Sequence, residues 1–146
     1  MKTARHTLYI IIALLLALSS CESHRDNNGE LGGNWQLIRW ETRGTETGHV
    51  DQVVCGAESK IFYAIHRKLF KFSAGNTVNY HLSYFENENN TLSFYHITHY
   101  PTDSLCTASD LAKYGVPASG QLHIDKIGGE SLVLSDKDNR LTFRRY

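Results

Sequence analysis

Histidine and cysteine are the residues here with the most chemistry to offer, eight and three of them in 146 positions. His96-Ile97-Thr98-His99 invites a metal reading, but residues three apart on a strand point to opposite faces, so these two imidazoles cannot hold one ion without a bend. His81 and His96 are better placed. The hairpin register described below sets them opposite each other with Arg67 on the same face, where two imidazoles could share zinc. His66, His123 and Cys55 are the remaining donors, none placed by the pattern, and no metal ligands are assigned. For nucleophilic catalysis there is neither a Gly-x-Ser-x-Gly elbow nor a cysteine with histidine and asparagine in a family spacing, and Ser119-Gly120 lacks the flanking residues. Asp125, Glu130, Asp136 and Asp138 fall at strand ends and turns, where carboxylates face water. Glu86-Asn87-Glu88-Asn89-Asn90 has the composition of an exposed turn, with calcium binding the minor alternative. With no glycine-rich phosphate loop either, the chain is not read as an enzyme and no cofactor is expected.

The first twenty residues carry the sharpest signal. Lys2 and Arg5 precede an apolar run from Leu8 to Leu18, too short to span a bilayer and of the length of a secretory signal core. Leu18-Ser19-Ser20-Cys21 resembles the bacterial lipobox, which implies cleavage before Cys21 and a diacylglyceryl group, palmitate among its acyl chains, on that thiol. Residues 1–20 are therefore read as a lipoprotein signal peptide, 21–32 as a polar tether and 33–146 as one domain. The expected location is the outside of a membrane in the cell envelope, most simply the outer membrane. Without Lys2 and Arg5 the mature chain has 13 basic and 15 acidic side chains, a formal charge of −2. That leaves no basic footprint for nucleic acid. Export also places Cys55 and Cys106 where a disulfide persists, and a bridge closing a loop of about 50 residues would restrict the unfolded chain by roughly 4 kcal/mol.

The elements that must position these groups are strands. Short runs rich in Tyr, Phe, Ile, Val, Leu and Thr, broken by Gly, Asn and Asp, predict an all-β antiparallel sandwich or barrel, with strands near 34–41, 60–72, 76–86, 91–99, 120–127, 131–135 and 140–145. One short helix follows Thr107, with Asp110 completing a capping box, Gly115 at the left-handed C′ position and Pro117 blocking continuation. The 42–59 segment, with Gly44, Gly48 and Gly56, is too long for a hairpin turn and reads as a loop. A turn at Ala74-Gly75-Asn76 sets Phe70 opposite Tyr80 and Phe72 opposite Val78. A turn at Asn87 to Asn90 sets Leu82 opposite Tyr95 and Tyr84 opposite Ser93. One face then collects Phe70, Phe72, Tyr80, Leu82, Tyr84, Tyr95 and Ile97 and is expected to point inward. The other carries Arg67, His81, Ser83, Phe85, Phe94 and His96.

Gly33-Asn34-Trp35 at the start of the first strand resembles the Gly-x-Trp motif of lipocalins. The tail, with Tyr114-Gly115-Val116, Leu122-His123-Ile124, Leu132-Val133-Leu134 and Leu141 to Tyr146, is similar to small lipocalin-like domains of Gram-negative, gut-anaerobe-type envelope lipoproteins. So is Phe62 to Phe72. The resemblance covers most of 33–146 and implies a compact lipocalin-like antiparallel β-barrel of about seven or eight strands with one short helix. It also implies that an arginine of the last strand stacks on Trp35 to close the barrel; Arg140, Arg144 and Arg145 are the candidates, with Arg144 the one expected. Trp40, Phe70, Tyr80, Leu82, Tyr84 and Tyr95 would line the barrel interior, where such side chains fill a small core by default or surround a small hydrophobic ligand.

Two functions follow. One is a lipid-anchored module holding a small apolar or amphipathic molecule, which requires an interior of roughly 300–1,000 Å³. The other is a structural or interaction protein of the envelope, with a packed interior, an exposed apolar patch, and another protein or a surface polymer as its partner.

Overall fold

The computed structural model describes residues 28–43, 50–55, 59–75 and 78–146, with Arg43 and 50–55 described by their backbone alone. The expected signal peptide, Cys21 and tether residues 22–27 lie outside them. Ten strands follow in chain order: β1 (Gly33–Arg43), β2 (Val50–Cys55), β3 (Ile61–His66), β4 (Leu69–Ala74), β5 (Tyr80–Glu88), β6 (Thr91–Tyr100), β7 (Ser104–Cys106), β8 (Gln121–Gly128), β9 (Ser131–Ser135) and β10 (Asn139–Arg145). Eight of them, β1-β3-β4-β5-β6-β8-β9-β10, pair antiparallel in that order, and β10 returns to β1 to close the barrel. The short strands β2 and β7 extend the edges of β1 and β6 beyond β3 and β8. Closure leaves the barrel strands no free edge over their paired length, which is how an isolated sheet of this size avoids edge-to-edge association.

Antiparallel order gives the barrel two unlike ends. At the lower end the tight connections 67–68, 89–90 and 129–130 lie beside the start of β1 and the end of β10. Asn89 and Asn90 both have positive φ, 50° and 61°, the backbone of a two-residue type I′ turn. At the upper end lie the longer connections and a 3-10 helix, Ala108–Tyr114. The helix begins and ends where the sequence places it. The Asp110 carboxylate accepts from the Thr107 backbone N–H at 2.7 Å and its hydroxyl at 3.0 Å, and Gly115 takes φ 94°. Its Leu111 and Tyr114 point into the barrel and are fully buried.

Four expectations about the strands are corrected. The single strand expected at 60–72 is the hairpin β3–β4, turning at Arg67-Lys68 with Arg67 at φ 54°. Part of the expected 42–59 loop is β2, which pairs with β1. The β4–β5 register is also displaced: Phe70 faces Ser83 and Phe72 faces His81, where Tyr80 and Val78 were expected. Each shift is three residues, and an odd shift turns every side chain of the strand to the other face. Tyr80, Leu82 and Tyr84 therefore lie outside, while His81, Ser83 and Phe85 lie inside. Between β5 and β6, Tyr84 pairs with Tyr95 and Leu82 with Thr98, where Ser93 and Tyr95 were expected, and a bulge sets Ser83 opposite His96-Ile97. His96 takes φ 49° there, so Tyr95 and His96 are both exposed and Ile97 still turns inward. Polar inward residues are tolerated because they find partners: Ser83 Oγ lies 2.7 Å from the Tyr84 carbonyl and 2.9 Å from that of Tyr95.

The interior is aromatic. Tyr63, Phe70, Phe72 and Phe143 are fully buried, and Tyr63 lies with ring centroids 5.1, 5.0 and 4.5 Å from the other three. Phe94 fits edge-on against Phe70 and Phe72 at 4.9 and 5.2 Å. These are preferred edge-to-face separations, and such rings fill the space a ligand would need.

Candidate functional site

Three places gather the groups singled out in the sequence: the lower closure, the upper end and the outer wall of β4–β7.

At the lower closure Trp35 is fully buried, its indole N–H donating to the Leu31 carbonyl at 2.9 Å. The arginine on its ring is Arg145, 4.3 Å from the centroid, which corrects the expected Arg144. Alternation explains the choice: Leu141, Phe143 and Arg145 share the inward face of β10, and Arg145 is the register partner of Trp35. Arg144 points outward and donates twice to Gln36 Oε1, at 3.0 and 2.8 Å. Arg145 also donates to the carbonyls of Gly32, Glu30 and Gly129 at 3.0, 2.9 and 3.3 Å. A Cβ on Gly33 would lie 2.6 Å from its Nη1. The Gly-x-Trp motif thus records a backbone that must leave room for this guanidinium.

At the upper end His81 is nearly fully buried, with Nδ1 3.0 Å from the Tyr114 hydroxyl, and the Tyr63 hydroxyl donates to the Tyr114 carbonyl at 2.8 Å. His81 faces His99, with ring centroids 5.0 Å apart, and this replaces the expected His81–His96 pair. His96 lies on the outer wall, 5.8 Å from the ring of Tyr84. Among the described residues no three His, Cys, Asp or Glu side chains converge as metal ligands. Burial pushes the His81 pKa down, Lys113 and His99 push the same way, and Asp110 opposes them. Burial raises the Tyr63 hydroxyl, with Tyr114 adding, and raises the Tyr114 hydroxyl itself. The group is therefore a neutral polar seam. The expected Cys55–Cys106 bridge is not present: Cys106 is a free thiol. Its strand extends β6 whereas β2 extends β1, and these two strands are four positions apart round an eight-stranded barrel. The side chain of Cys55 lies outside the described residues. Burial and Asp110 raise the Cys106 pKa, which keeps it a thiol and a poor nucleophile.

The residues expected to line a ligand separate. Phe70 is in the packed core. Trp40 is half-buried near the upper end, its indole donating to Asn139 Oδ1 at 2.9 Å. Tyr80, Leu82, Tyr84 and Tyr95 form part of a wall on the outside of the barrel. Register sets this wall in rows: Leu69–Tyr84–Tyr95, Lys71–Leu82–Thr98–Leu105, and Ser73–Tyr80–Tyr100. Tyr80 and Tyr100 stack at 4.5 Å and 8°, with Lys71 Nζ 4.1 Å from the Tyr80 centroid, and Tyr84 and Tyr95 stack more loosely at 6.0 Å and 22°. Leu69, Leu82, Tyr84, His96 and Thr98 line a shallow groove of about 240 Å³. Tyr100 and Leu105 belong to this wall and were not singled out in the sequence, because their face depends on the His96 bulge.

A family profile described as a lipocalin-like domain matches residues 15–146. The fold is similar to an uncharacterised protein from Bacteroides eggerthii, at 18% identity and a TM-score of 0.55, over 79% of this chain and 98% of that one. It is likewise similar to a lipocalin-like protein from Bacteroides uniformis, at 18% identity and 0.54, over 81% and 100%. No curated relative matches the chain. With the closed eight-stranded barrel, the Trp35–Arg145 closure and a profile match across most of its length, the chain belongs to the lipocalin-like domain family.

Proposed function

We propose that this is an exported lipoprotein, anchored through acylated Cys21 to the cell envelope, whose barrel acts through surface contact and neither encloses a ligand nor catalyses a reaction. The observation that carries the reading is the interior itself. Seven aromatic side chains, Tyr63, Phe70, Phe72, Phe85, Phe94, Tyr114 and Phe143, are buried there against one another. A ligand in the barrel would have to displace them. The exposed wall of β4–β7 offers contact area instead, with Leu69, Tyr84, Tyr95 and Tyr100 each about 40% exposed and Leu105 73%. Anchoring rests on the basic, apolar and Leu-Ser-Ser-Cys succession of residues 2–21.

The test is native mass spectrometry of the chain from Glu22, before and after denaturation. A bare mass in both states is expected; a small molecule released on unfolding would overturn the surface-contact reading. Labelled palmitate should enter the full chain and be lost in Cys21→Ala. A second reading, an amphipathic ligand held at the upper end, is favoured by half-buried Trp40, Ile61, Ala74, Cys106 and Ala108, which pack on the core there. In that case the released molecule should disappear in Trp40→Ala.

A further inference from the structure

The tether and the aromatic wall meet at one place. Six residues, 22–27, separate Cys21 from Asn28, so the two lie at most about 25 Å apart along the chain. The Asn28 side chain donates to the Arg67 carbonyl at 2.7 Å, so the chain enters the barrel beside the β3–β4 turn. Lys68 is exposed in that turn, and Leu69, next in sequence, begins the wall. An acylated Cys21 would therefore hold this edge of the barrel within reach of the bilayer surface.

The wall has the chemistry of that surface. Its three rows carry Leu69, Leu82, Leu105 and four tyrosines, with Lys71 as the one cation and no carboxylate. Glu86 and Glu88 lie beyond the rows, toward the β5–β6 turn. Tyrosine suits a membrane interface because its ring is apolar and its hydroxyl remains hydrated, and lysine can lay its stem on apolar surface with its ammonium at the headgroups. We propose that the outer wall of β4–β7 lies against the bilayer that holds the acylated Cys21, with Leu69, Tyr84, Tyr95, Tyr100 and Leu105 at the interface and Lys68 and Lys71 facing anionic headgroups. This rests on the anchoring reading. Tethering supplies a high local concentration, so a wall contact too weak to recruit the barrel alone is enough to orient it.

The experiment is hydroxyl-radical footprinting of the full acylated protein in vesicles of zwitterionic and anionic phospholipid, with intact mass recorded on the same sample. Tyr146 is the internal reference, since its ring lies outside the rows of the wall, 5.2 Å from that of Phe62 on β3, and is 76% exposed. A free wall predicts that Tyr84, Tyr95 and Tyr100 oxidise at about half the Tyr146 rate, in proportion to exposures of 41, 43 and 42%. Docking predicts a further several-fold fall in all three, reversed in part by Lys68→Glu with Lys71→Glu. An acylated mass with unprotected tyrosines overturns the docking and leaves the anchor standing. A mass without acyl groups overturns the anchor and the docking together. Protection caused by a bound protein or a second copy, detected by crosslinking in the same vesicles, overturns the bilayer as occupant.

Discussion

Replacing Arg145 with alanine should unfold the barrel far more readily than replacing Arg144, although the two are neighbours of the same charge. Arg145 loses the Trp35 contact at 4.3 Å and hydrogen bonds to three carbonyls. A cation–π contact contributes about 0.5–2 kcal/mol, and hydrogen bonds from a charged donor add about 1.5–3 each where water is excluded. Arg145 is only half-buried, which places the expected loss near 3 kcal/mol. A domain the size of residues 33–146 loses roughly 0.24 kcal/mol of stability per degree near its midpoint, so Tm should fall by about 12 °C. Arg144→Ala removes two bonds to Gln36 Oε1 and leaves the Gln36 amide on the Ser59 carbonyl, for about 1 kcal/mol and about 4 °C. Arg145→Lys should fall between them, keeping the charge without the planar fork. Thermal and urea unfolding followed by far-ultraviolet circular dichroism measures all three. Equal losses at positions 144 and 145, or a larger one at 144, would refute the assignment of Arg145 to the closure.

Phe72→Ala should cost about 3–5 kcal/mol in urea unfolding with an unchanged m-value, because the ring is fully buried among Tyr63, Phe70, Phe94 and Tyr114. Gly33→Ala should cost about 1–3 kcal/mol and alter the near-ultraviolet dichroism of Trp35, since φ is +124° and the guanidinium it would meet is fixed by three carbonyls. Stability should also fall on acidification. His81 has a lowered pKa in the folded chain, so its contribution is complete above the unfolded value of about 6.5 and is lost as pH drops through the folded value. Lys113 and His99 oppose its protonation and Asp110 favours it, and His81→Asn should flatten the slope of unfolding free energy between pH 7 and 5.

What the sequence by itself determined was local or periodic. Leu141-Thr142-Phe143 alternates cleanly, so β10 and its inward face were legible, and the same alternation places Arg145, not Arg144, on that face. The helix was legible because Thr107, Asp110, Gly115 and Pro117 each act within a few residues. Registry was not. Ile61 to Ala74 contains no glycine, proline or asparagine where it turns, and Arg67 accepts a positive φ that its residue type does not announce. Which face of β5 turned inward was decided by partners remote in sequence: Tyr114 receives His81, and the backbone of β6 receives Ser83 Oγ. Both faces of β5 carry rings, so hydrophobicity alone could not choose between them. Tertiary structure chose the face whose polar groups could all be paired, and in doing so placed Tyr80, Leu82, Tyr84 and Tyr95 on the outside of the barrel.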